Sequence, residues 1–198
     1  MARTIAKDHS EKRTQILKSA AKVFASQGFD RASMNELAAE CGISKANIYH
    51  YYESKHTLLF DMLDNHLSSL KDRICAIPLD FCKPEDSLRE ITLQILLAYQ
   101  GADNEHRVQN AGYSVLPKDQ QSILRTYQRD MISHLSNVIA ACEPACFQGD
   151  PVKLRATTMS VFGMLNWYFM WQADGNECNR RAYAALVSNL TLKGLKGL

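Results

Sequence analysis

The spacing of apolar side chains predicts helices along almost the whole chain. The first helix is predicted between a capping Ser10 and a terminating Gly28, with its apolar residues on one face. These apolar residues are Ile16, Leu17, Ala20 and Phe24. No segment alternates convincingly between apolar and polar residues in the way that a half-buried strand does. The pattern therefore predicts an all-α fold.

Two short helices joined by a tight turn follow. The second helix is predicted to begin at Ser33, because Glu36 completes a capping box, and to end at Gly42. The third helix is predicted to begin at Ser44, so the turn spans only residues 41–43. A short turn with glycine between two short helices is typical of a helix-turn-helix. The same arrangement also occurs in helical enzymes and scaffolds, so the turn alone does not establish DNA binding.

The third helix has an apolar inner side and a polar outer side. Ile43, Ile48 and Tyr52 are spaced to pack inward against the first two helices. Small, amide, hydroxyl, imidazole and ammonium groups remain on the outer side: Lys45, Ala46, Asn47, Tyr49 and His50. Such a surface suits the major groove of DNA, where donors and acceptors meet base edges. The pattern therefore favours DNA binding by this helix.

The rest of the chain is predicted to form longer and more apolar helices. A fourth helix is expected from Ser54 to about Ile77. Pro144 is expected to end a long helix, and Asp150 with Pro151 to begin the next one. The later helices are expected over residues 86–100, 104–116, 118–142, 150–175 and 176–198.

Composition narrows the range of functions only slightly. With 46% hydrophobic and 22% charged residues, the chain of 198 residues has the composition of a globular protein and not of a disordered one. Residues 1–60 contain nine Lys and Arg against six Asp and Glu, a net charge of +3, and the remainder has −1. The six cysteines form no CxxC motif and no signal peptide is recognised, which favours a reducing cytoplasm.

No metal site, cofactor or catalytic activity is expected. Glu53 and His56 have the spacing of the carboxylate–histidine pair of di-iron helix bundles, but such a site needs two pairs and two further carboxylates. The sequence contains no nucleophile with a recognisable base and no glycine-rich phosphate loop. A helical enzyme, or a helical ligand-binding protein that does not touch DNA, remains the alternative from a different functional class.

The segment "SMNELAAECGISKANIYHYYESKHTLL" resembles the DNA-binding domain of the TetR family of bacterial transcription repressors. The resemblance covers about residues 10–60 and includes the Ala-Ala pair, the Gly-Ile-Ser turn, the Tyr-x-Tyr-Tyr run and the Lys-x-x-Leu motif of the fourth helix. It implies a helix-turn-helix DNA-binding domain over residues 1–55, and a domain for ligand binding and dimerisation over residues 56–198. The expected DNA is a palindromic double-stranded operator.

The resemblance also implies roles for individual residues. Lys45, Ala46 and Asn47 are expected to approach bases, although family members often have glycine in place of Ala46. The expected phosphate-binding residues lie at helix starts and in the tyrosine run. The full predicted DNA-binding set is Ser33, Ser44, Lys45, Ala46, Asn47, Tyr49, His50, Tyr51 and Lys55.

The helix after Asp150 is predicted to be buried between two copies of the chain. The segment between Arg155 and Asp174 has no charge, but its hydroxyl and amide side chains argue against a membrane span. Small residues at helical spacing allow another helix to come close, and TetR-like proteins dimerise through their last two helices. The predicted dimer residues are Ala156, Ser160, Gly163, Ala182 and Leu186.

The stretch "FGMLNWYFMW", residues 162–171, resembles the corresponding helix of TetR-like regulators of fatty-acid, phenylacetate and sterol catabolism, which sense acyl-coenzyme A thioesters. This resemblance implies a small-molecule inducer that releases the protein from DNA. An unrelated hydrophobic drug or a free acid is the alternative inducer, and most of the aromatic residues also suit plain core packing. The predicted ligand-binding set is Tyr99, His106, Arg107, Asn110, Tyr113, Phe162, Asn166, Trp167 and Met170.

Overall fold

The chain folds into helices only, within the part that the structure describes. The computed structural model describes residues 2–172 and 175–195, without the side chains of residues 2–8, 110 and 195. These ranges contain ten α-helices, one short 3₁₀ helix and no strand, which confirms the all-α prediction. The α-helices are α1 Ala2–Gln27, α2 Met34–Glu40, α3 Lys45–Tyr51, α4 Lys55–Cys75, α5 Pro84–Ala98, α6 Asp103–Gly112, α7 Lys118–Cys142, α8 Pro144–Phe147, α9 Pro151–Trp171 and α10 Glu177–Leu195. None of them is long and apolar enough to cross a membrane.

The helices group into two compact units. The first unit comprises Met1–Leu67 and Ala102–Leu124, and the second comprises Ser68–Gly101 and Arg125–Leu198. The first unit therefore contains α1, α2, α3 and α6, and the second contains α5, α8, α9 and α10, while α4 and α7 contribute to both. The division into functional domains at residue 55 stays a prediction.

Glycines and capping residues set the helix ends around α2 and α3. Gly28 and Gly42 have φ angles of 83° and 64°, a left-handed conformation that glycine adopts without steric cost, and they lie where the sequence predicted helix ends. The predicted capping box at Ser33 and Glu36 is present. Ser44 caps α3, because its Oγ accepts a hydrogen bond of 3.1 Å from the backbone N–H of Asn47.

The predicted start of the first helix is wrong. The helix begins at Ala2, so Ser10 lies inside it and not at its N-cap. The Ser10 carbonyl accepts a hydrogen bond of 3.0 Å from Thr14 Oγ1, a contact between residues one turn apart in a helix. The preceding residues contain neither glycine nor proline, so nothing in residues 2–9 interrupts the helix.

The position of Ser10 inside α1 allows a stability test with a matched control. We expect Ser44→Ala to lower the free energy of unfolding by about 1 kcal/mol, because α3 loses its side-chain cap. Ser10→Ala makes the same chemical change at an exposed site within α1, where alanine is the better helix former. It should leave the stability unchanged or slightly increased. The free energy of unfolding of both variants is measured in urea. A decrease of about 1 kcal/mol for Ser10→Ala would indicate that Ser10 is a helix cap after all.

The later helices follow the sequence with small differences. Pro144 ends α7 as predicted, but it also begins the four-residue helix α8, which the sequence analysis did not predict. Asp150 caps α9, since its Oδ1 accepts a hydrogen bond of 2.9 Å from the Lys153 backbone. The helix predicted over residues 104–116 instead ends at Gly112 and continues as the 3₁₀ helix Tyr113–Val115.

In the second unit, α5 packs against α10, and α9 packs against both. The hydroxyl groups of Thr92 and Ser188 are 2.6 Å apart across the α5–α10 contact, and both side chains are buried. Arg180 on α10 is also buried, with its Nε donating to the Gly175 carbonyl at 3.0 Å. Its guanidinium lies 5.3 Å from the centre of the Tyr168 ring, a cation–π contact.

Candidate functional site

Helix α3 has one buried side and one exposed side. Ile48 and Tyr52 are buried and Ile43 is half-buried, as the spacing predicted. The turn before α3 is fixed by a hydrogen bond of 3.0 Å from the Ile43 backbone N–H to the Ala38 carbonyl. Because α3 is only seven residues long, a single buried residue, Ile48, anchors its centre. The buried residues, the turn and the Ser44 cap together leave the opposite side of the helix exposed.

The exposed side carries the residues that the sequence predicted to approach DNA. Tyr49 is 45% exposed, and the other four are exposed as well. These exposed residues are Lys45, Ala46, Asn47, Tyr49 and His50. They offer an ammonium group, an amide, a phenol and an imidazole side by side, which are the groups that pair with base edges and phosphate oxygens.

The predicted phosphate-binding residues around α3 also make contacts within the protein. The Ser33 hydroxyl donates to Glu36 Oε2 at 2.8 Å, and the same carboxylate accepts the Ser33 backbone N–H at 2.8 Å. The Tyr51 ring is half-buried and stacks on His9, with ring centres 4.8 Å apart. Roles for Ser33, Ser44 and Tyr51 in DNA binding stay predictions.

Lys55, at the start of α4, is bound by the turn between α1 and α2. Its Nζ donates to three backbone carbonyls, those of Phe29 and Asp30 at 2.9 Å and that of Ala32 at 3.1 Å. It also lies 4.6 Å from the centre of the Phe29 ring. An ammonium group has three N–H donors, which match these three carbonyls. The contacts therefore give Lys55 a structural role that the sequence did not reveal. A phosphate contact by Lys55 stays a prediction.

In the second unit, two of the predicted ligand residues contact each other. The Tyr99 hydroxyl donates to Asn166 Oδ1 at 2.7 Å, which joins α9 to the C-terminal end of α5. Tyr99 is buried, and this burial raises the pKa of its phenol. Phe162 is also buried, whereas Trp167 and Met170 are 61% and 54% exposed. A ligand-binding role for these five residues stays a prediction.

In the first unit, the other predicted ligand residues lie on and just after α6. His106 is buried, Arg107 is exposed, and the Tyr113 hydroxyl donates to the Gln121 carbonyl at 2.6 Å. The fourth, Asn110, has its side chain outside the described residues. Arg107 lines a cavity of about 340 Å³ beside the end of α1 and the turn that follows it. Ligand binding by these four residues stays a prediction.

His66 on α4 is a half-buried polar residue whose surroundings the sequence did not reveal. Burial, and to a smaller extent the charge of nearby His106, lowers the pKa of His66 to about 4, so its imidazole is neutral at pH 7. The side chains that face His66 across the helices are invisible in a sequence, because α4 and α6 are about 40 residues apart. The one feature of the sequence that could have placed His66 near the core is its helical spacing from the apolar residues Met62, Leu63 and Leu70.

Helices α9 and α10 leave a broad apolar surface exposed in the single chain. The predicted dimer residues Ala156, Ser160, Gly163, Ala182 and Leu186 are all exposed. Large exposed side chains accompany them: Met159, Trp167, Met170, Trp171 and Leu190. A groove of about 380 Å³ runs between the two helices and is lined mainly by apolar atoms. Dimerisation through this surface stays a prediction.

In the part of the chain that the structure describes, no three His, Cys, Asp or Glu side chains are grouped closely enough to hold a metal ion. The six cysteines are free thiols, and only Cys41 is buried. Burial raises the pKa of the Cys142 thiol to about 11, so that sulfur is protonated and unreactive at neutral pH.

Comparison with known proteins identifies both parts of the chain. The model of bacterial regulatory proteins of the tetR family matches residues 16–62, which include α2 and α3. The model of the tetracyclin repressor-like C-terminal domain matches residues 82–195. The second match alone covers more than half of the chain.

Curated relatives match over less than half of this chain. The chain is 34% identical over 90 residues to the HTH-type transcriptional regulator YuxN of Bacillus subtilis, which covers 46% of this chain and 30% of YuxN. It is 32% identical over 79 residues to the HTH-type transcriptional repressor NicS of Pseudomonas putida, which covers 40% of this chain and 37% of NicS. These matches therefore span only about a third of the relatives' own lengths.

Solved structures match over nearly the whole chain. A TetR-family transcriptional regulator from Bordetella parapertussis is 31% identical with a TM-score of 0.84, covering 94% of this chain and 96% of that one. AibR, in complex with isovaleryl coenzyme A and operator DNA, is 22% identical with a TM-score of 0.73, covering 91% and 98%. At that identity, AibR shares the fold alone. The chain thus belongs to the TetR family of transcriptional regulators, which bind DNA, respond to ligands and are not enzymes.

Proposed function

We propose that this protein is a cytoplasmic repressor that binds a palindromic operator as a homodimer and is released by a small-molecule inducer. The observation that supports the DNA-binding part is the exposed polar side of α3, opposite the buried Ile48. A two-fold dimer presents two copies of α3, and successive major grooves lie about 34–36 Å apart along DNA. The operator is therefore expected to be a palindrome with half-sites at that separation or a multiple of it.

Within this proposal, the residues on α3 divide into two groups. Lys45 and Asn47 contact base edges, because they lie in the first turn of α3 and have long or bidentate polar side chains. Tyr49 and Tyr51 bind phosphate groups, which fixes the register of the protein but gives no sequence preference. The helix N-termini at Ser33 and Ser44 supply backbone N–H groups that also favour phosphate.

Dimerisation is supported by the exposed apolar surface of α9 and α10. Trp167, Trp171 and Leu190 are each more than half exposed in the single chain, and several large exposed apolar side chains on two packed helices are typical of an interface. The small residues of α9 let a second copy approach closely in the middle of that surface. A four-helix bundle made of α9 and α10 from both copies would remove this surface from water.

An acyl-coenzyme A thioester is the proposed inducer. The structure of AibR contains isovaleryl coenzyme A and operator DNA, and another neighbour of 17% identity is the fatty acid degradation regulator FadR from Bacillus halodurans. In this chain, buried Phe162 and the Tyr99–Asn166 pair offer an apolar wall beside a polar group. A neutral hydrophobic drug or a free acid is the competing inducer. Binding of the inducer would shift the population of the protein toward a conformation that no longer fits the operator.

A titration of the protein–DNA complex tests this function. The DNA is the region upstream of the protein's own gene, and we expect binding at nanomolar to tens-of-nanomolar concentration with steep salt dependence. Phenylacetyl-CoA and a long-chain acyl-CoA are then added, with free acids and free CoA as matched controls. We expect a thioester to release the DNA while its free acid and free CoA do not.

The outcomes of this titration separate the parts of the proposal. Release by a free acid or an unrelated drug alone would reject the thioester and leave a general TetR-like repressor. Failure to bind either that DNA or any fragment recovered by footprinting on genomic DNA would reject the DNA-binding function itself. Footprinting would also reveal whether two half-sites are present and how far apart they are.

A further inference from the structure

Two side chains, one from α1 and one from the C-terminal end of α3, meet at the carboxylate of Asp61 on α4. Arg13 on α1 donates through Nε to Asp61 Oδ2 at 3.0 Å and through Nη2 to Oδ1. Tyr52, the C-cap residue of α3, donates its hydroxyl to the same Oδ2. We call these residues the Asp61 network. All of them belong to the first unit, so the network joins α1, α3 and α4 within one compact body.

The chemistry of the Asp61 network makes it rigid. Tyr52 is 4% exposed, and a buried tyrosine hydroxyl requires a hydrogen-bond partner, which Asp61 provides. Arg13 approaches the carboxylate with two parallel N–H donors, a planar arrangement that fixes direction as well as distance. Burial, together with the bond to Asp61, raises the pKa of Tyr52, so the phenol keeps its proton and remains the donor.

The position of the network matters because α3 is short. Seven residues of helix measure roughly 10 Å, and Ile48 is the one residue of α3 that is buried. The N-terminal end of α3 is held by the Gly42 turn and the Ser44 cap. At the C-terminal end, Tyr52 donates its backbone N–H to the Ile48 carbonyl at 3.0 Å and then leaves the helix in an extended conformation. The hydroxyl of Tyr52 on Asp61 also holds this end.

We propose that Asp61 is a positioning residue for DNA recognition, which acts through Tyr52 and Arg13 and does not itself contact DNA. It fixes the angle of α3 against α1 and α4, so that the exposed side chains of α3 reach base edges with good geometry. Hydrogen bonds weaken steeply when donor and acceptor are misaligned, so a small tilt of α3 weakens base contacts more than flexible phosphate contacts. This inference rests on the proposed binding of α3 in the major groove.

Two variants of the full-length protein remove the network with little change in shape. Tyr52→Phe deletes one hydroxyl and keeps the ring in the core, and Asp61→Asn keeps the size of the side chain but removes its charge. We expect each to lower operator affinity by about tenfold or more, because both copies of α3 in the dimer lose alignment with their bases. Affinity for a random duplex of equal length at the same salt concentration should change less than about threefold.

A charge-matched control is available in the same unit. Asp61→Asn removes one negative charge, which alone strengthens attraction to DNA, so Glu40→Gln is measured beside it. Glu40 binds Lys22 at 2.6 Å in an exposed ion pair between α1 and α2, and it does not contact Tyr52. Exposed pairs of this kind contribute little to stability. Glu40→Gln should therefore keep the wild-type ratio of operator affinity to random-duplex affinity.

The affinities for the operator and for the random duplex are measured by fluorescence anisotropy, and thermal unfolding of each variant is measured in parallel. The ratio of the two affinities tests the proposal. A fall in the ratio for Tyr52→Phe and Asp61→Asn, with the protein still folded, supports the proposal. An unchanged ratio in both variants overturns it, as does an equal loss of both affinities that follows the folded fraction. If the wild-type protein binds no operator at all, the proposed function fails instead, and that result is distinct from the others.

Discussion

Asn47→Ala is expected to weaken operator binding by about 30-fold to 20,000-fold. Asn47 is exposed on α3, and an asparagine that pairs with adenine through two hydrogen bonds contributes about 1–3 kcal/mol of discrimination. The dimer presents two copies, so the loss doubles to roughly 2–6 kcal/mol for a palindrome. The backbone N–H of Asn47 that completes the Ser44 cap is unaffected by this change, so the helix should remain intact.

The affinity of each protein is measured by fluorescence anisotropy, with the operator and with operator duplexes that carry single base-pair substitutions. Tyr49→Phe is the matched control, since it removes a proposed phosphate contact from the same exposed side of α3. It should weaken binding to all sequences by a similar factor, whereas Asn47→Ala and Lys45→Ala should change which base is preferred. Equal losses on the operator and on random DNA from all three variants would contradict base reading by Lys45 and Asn47.

The helices and the outward side of α3 could be predicted from the sequence because local rules determine them. Gly28 and Gly42 end helices through their positive φ angles, and Ser33 and Ser44 begin them through hydrogen bonds to residues three positions away. The inward position of Ile48 follows from a helical period in the same short segment. Each of these features depends on a few neighbouring residues, which a sequence displays directly.

The contacts between separate helices and turns could not be predicted because they join distant residues. Arg13 and Asp61 are 48 positions apart, and Lys55 reaches carbonyls about 25 positions before it. A lysine beside a predicted DNA-binding helix suggests a phosphate contact, and nothing local reveals three carbonyl acceptors. The buried Arg180 is a similar case, since its partner carbonyl on Leu96 is 84 positions away.

Ser10 shows the limit of local rules within a single element. A serine before an apolar stripe satisfies the usual rule for a helix start, but a helix can also continue through it. Serine has only a slightly lower helix propensity than alanine, and the residues before it contain no breaker. The capping rule identifies sites where a helix can begin, and the surrounding sequence determines whether it does.

The sequence also predicted a surface that the single chain does not explain. Helix α9 was expected to be buried on all sides, yet Ala156, Ser160 and Gly163 are exposed and Trp167 is 61% exposed. A helix with so little charge and so much exposed apolar surface is costly in water. The second copy of the chain that we propose would account for the apolar composition of α9, and a sequence pattern cannot display such a copy.

Gly163→Leu should prevent dimer formation without destabilising the chain itself. Apart from its two chain neighbours and the backbone of its own helix, no heavy atom of the described residues lies within 4 Å of the position that a Cβ at Gly163 would occupy, so the first atom of the new side chain has open space in its own copy. A glycine inside a helix costs about 1 kcal/mol relative to alanine, so the single chain should become slightly more stable. At a two-fold seam, overpacking costs about 1–3 kcal/mol in each copy, hence roughly 2–6 kcal/mol for the dimer.

Sedimentation velocity over a range of protein concentrations measures this change, with operator affinity measured on the same samples. Gly163→Ala provides a smaller step at the same position, and Asn137→Leu adds an equally exposed leucine on α7, outside the proposed seam. We expect dimer dissociation to increase from wild type to Gly163→Ala to Gly163→Leu, with operator affinity falling in parallel because one copy of α3 contacts only one half-site. A Gly163→Leu protein that sediments as an unchanged dimer and keeps its DNA affinity would show that α9 does not form the seam.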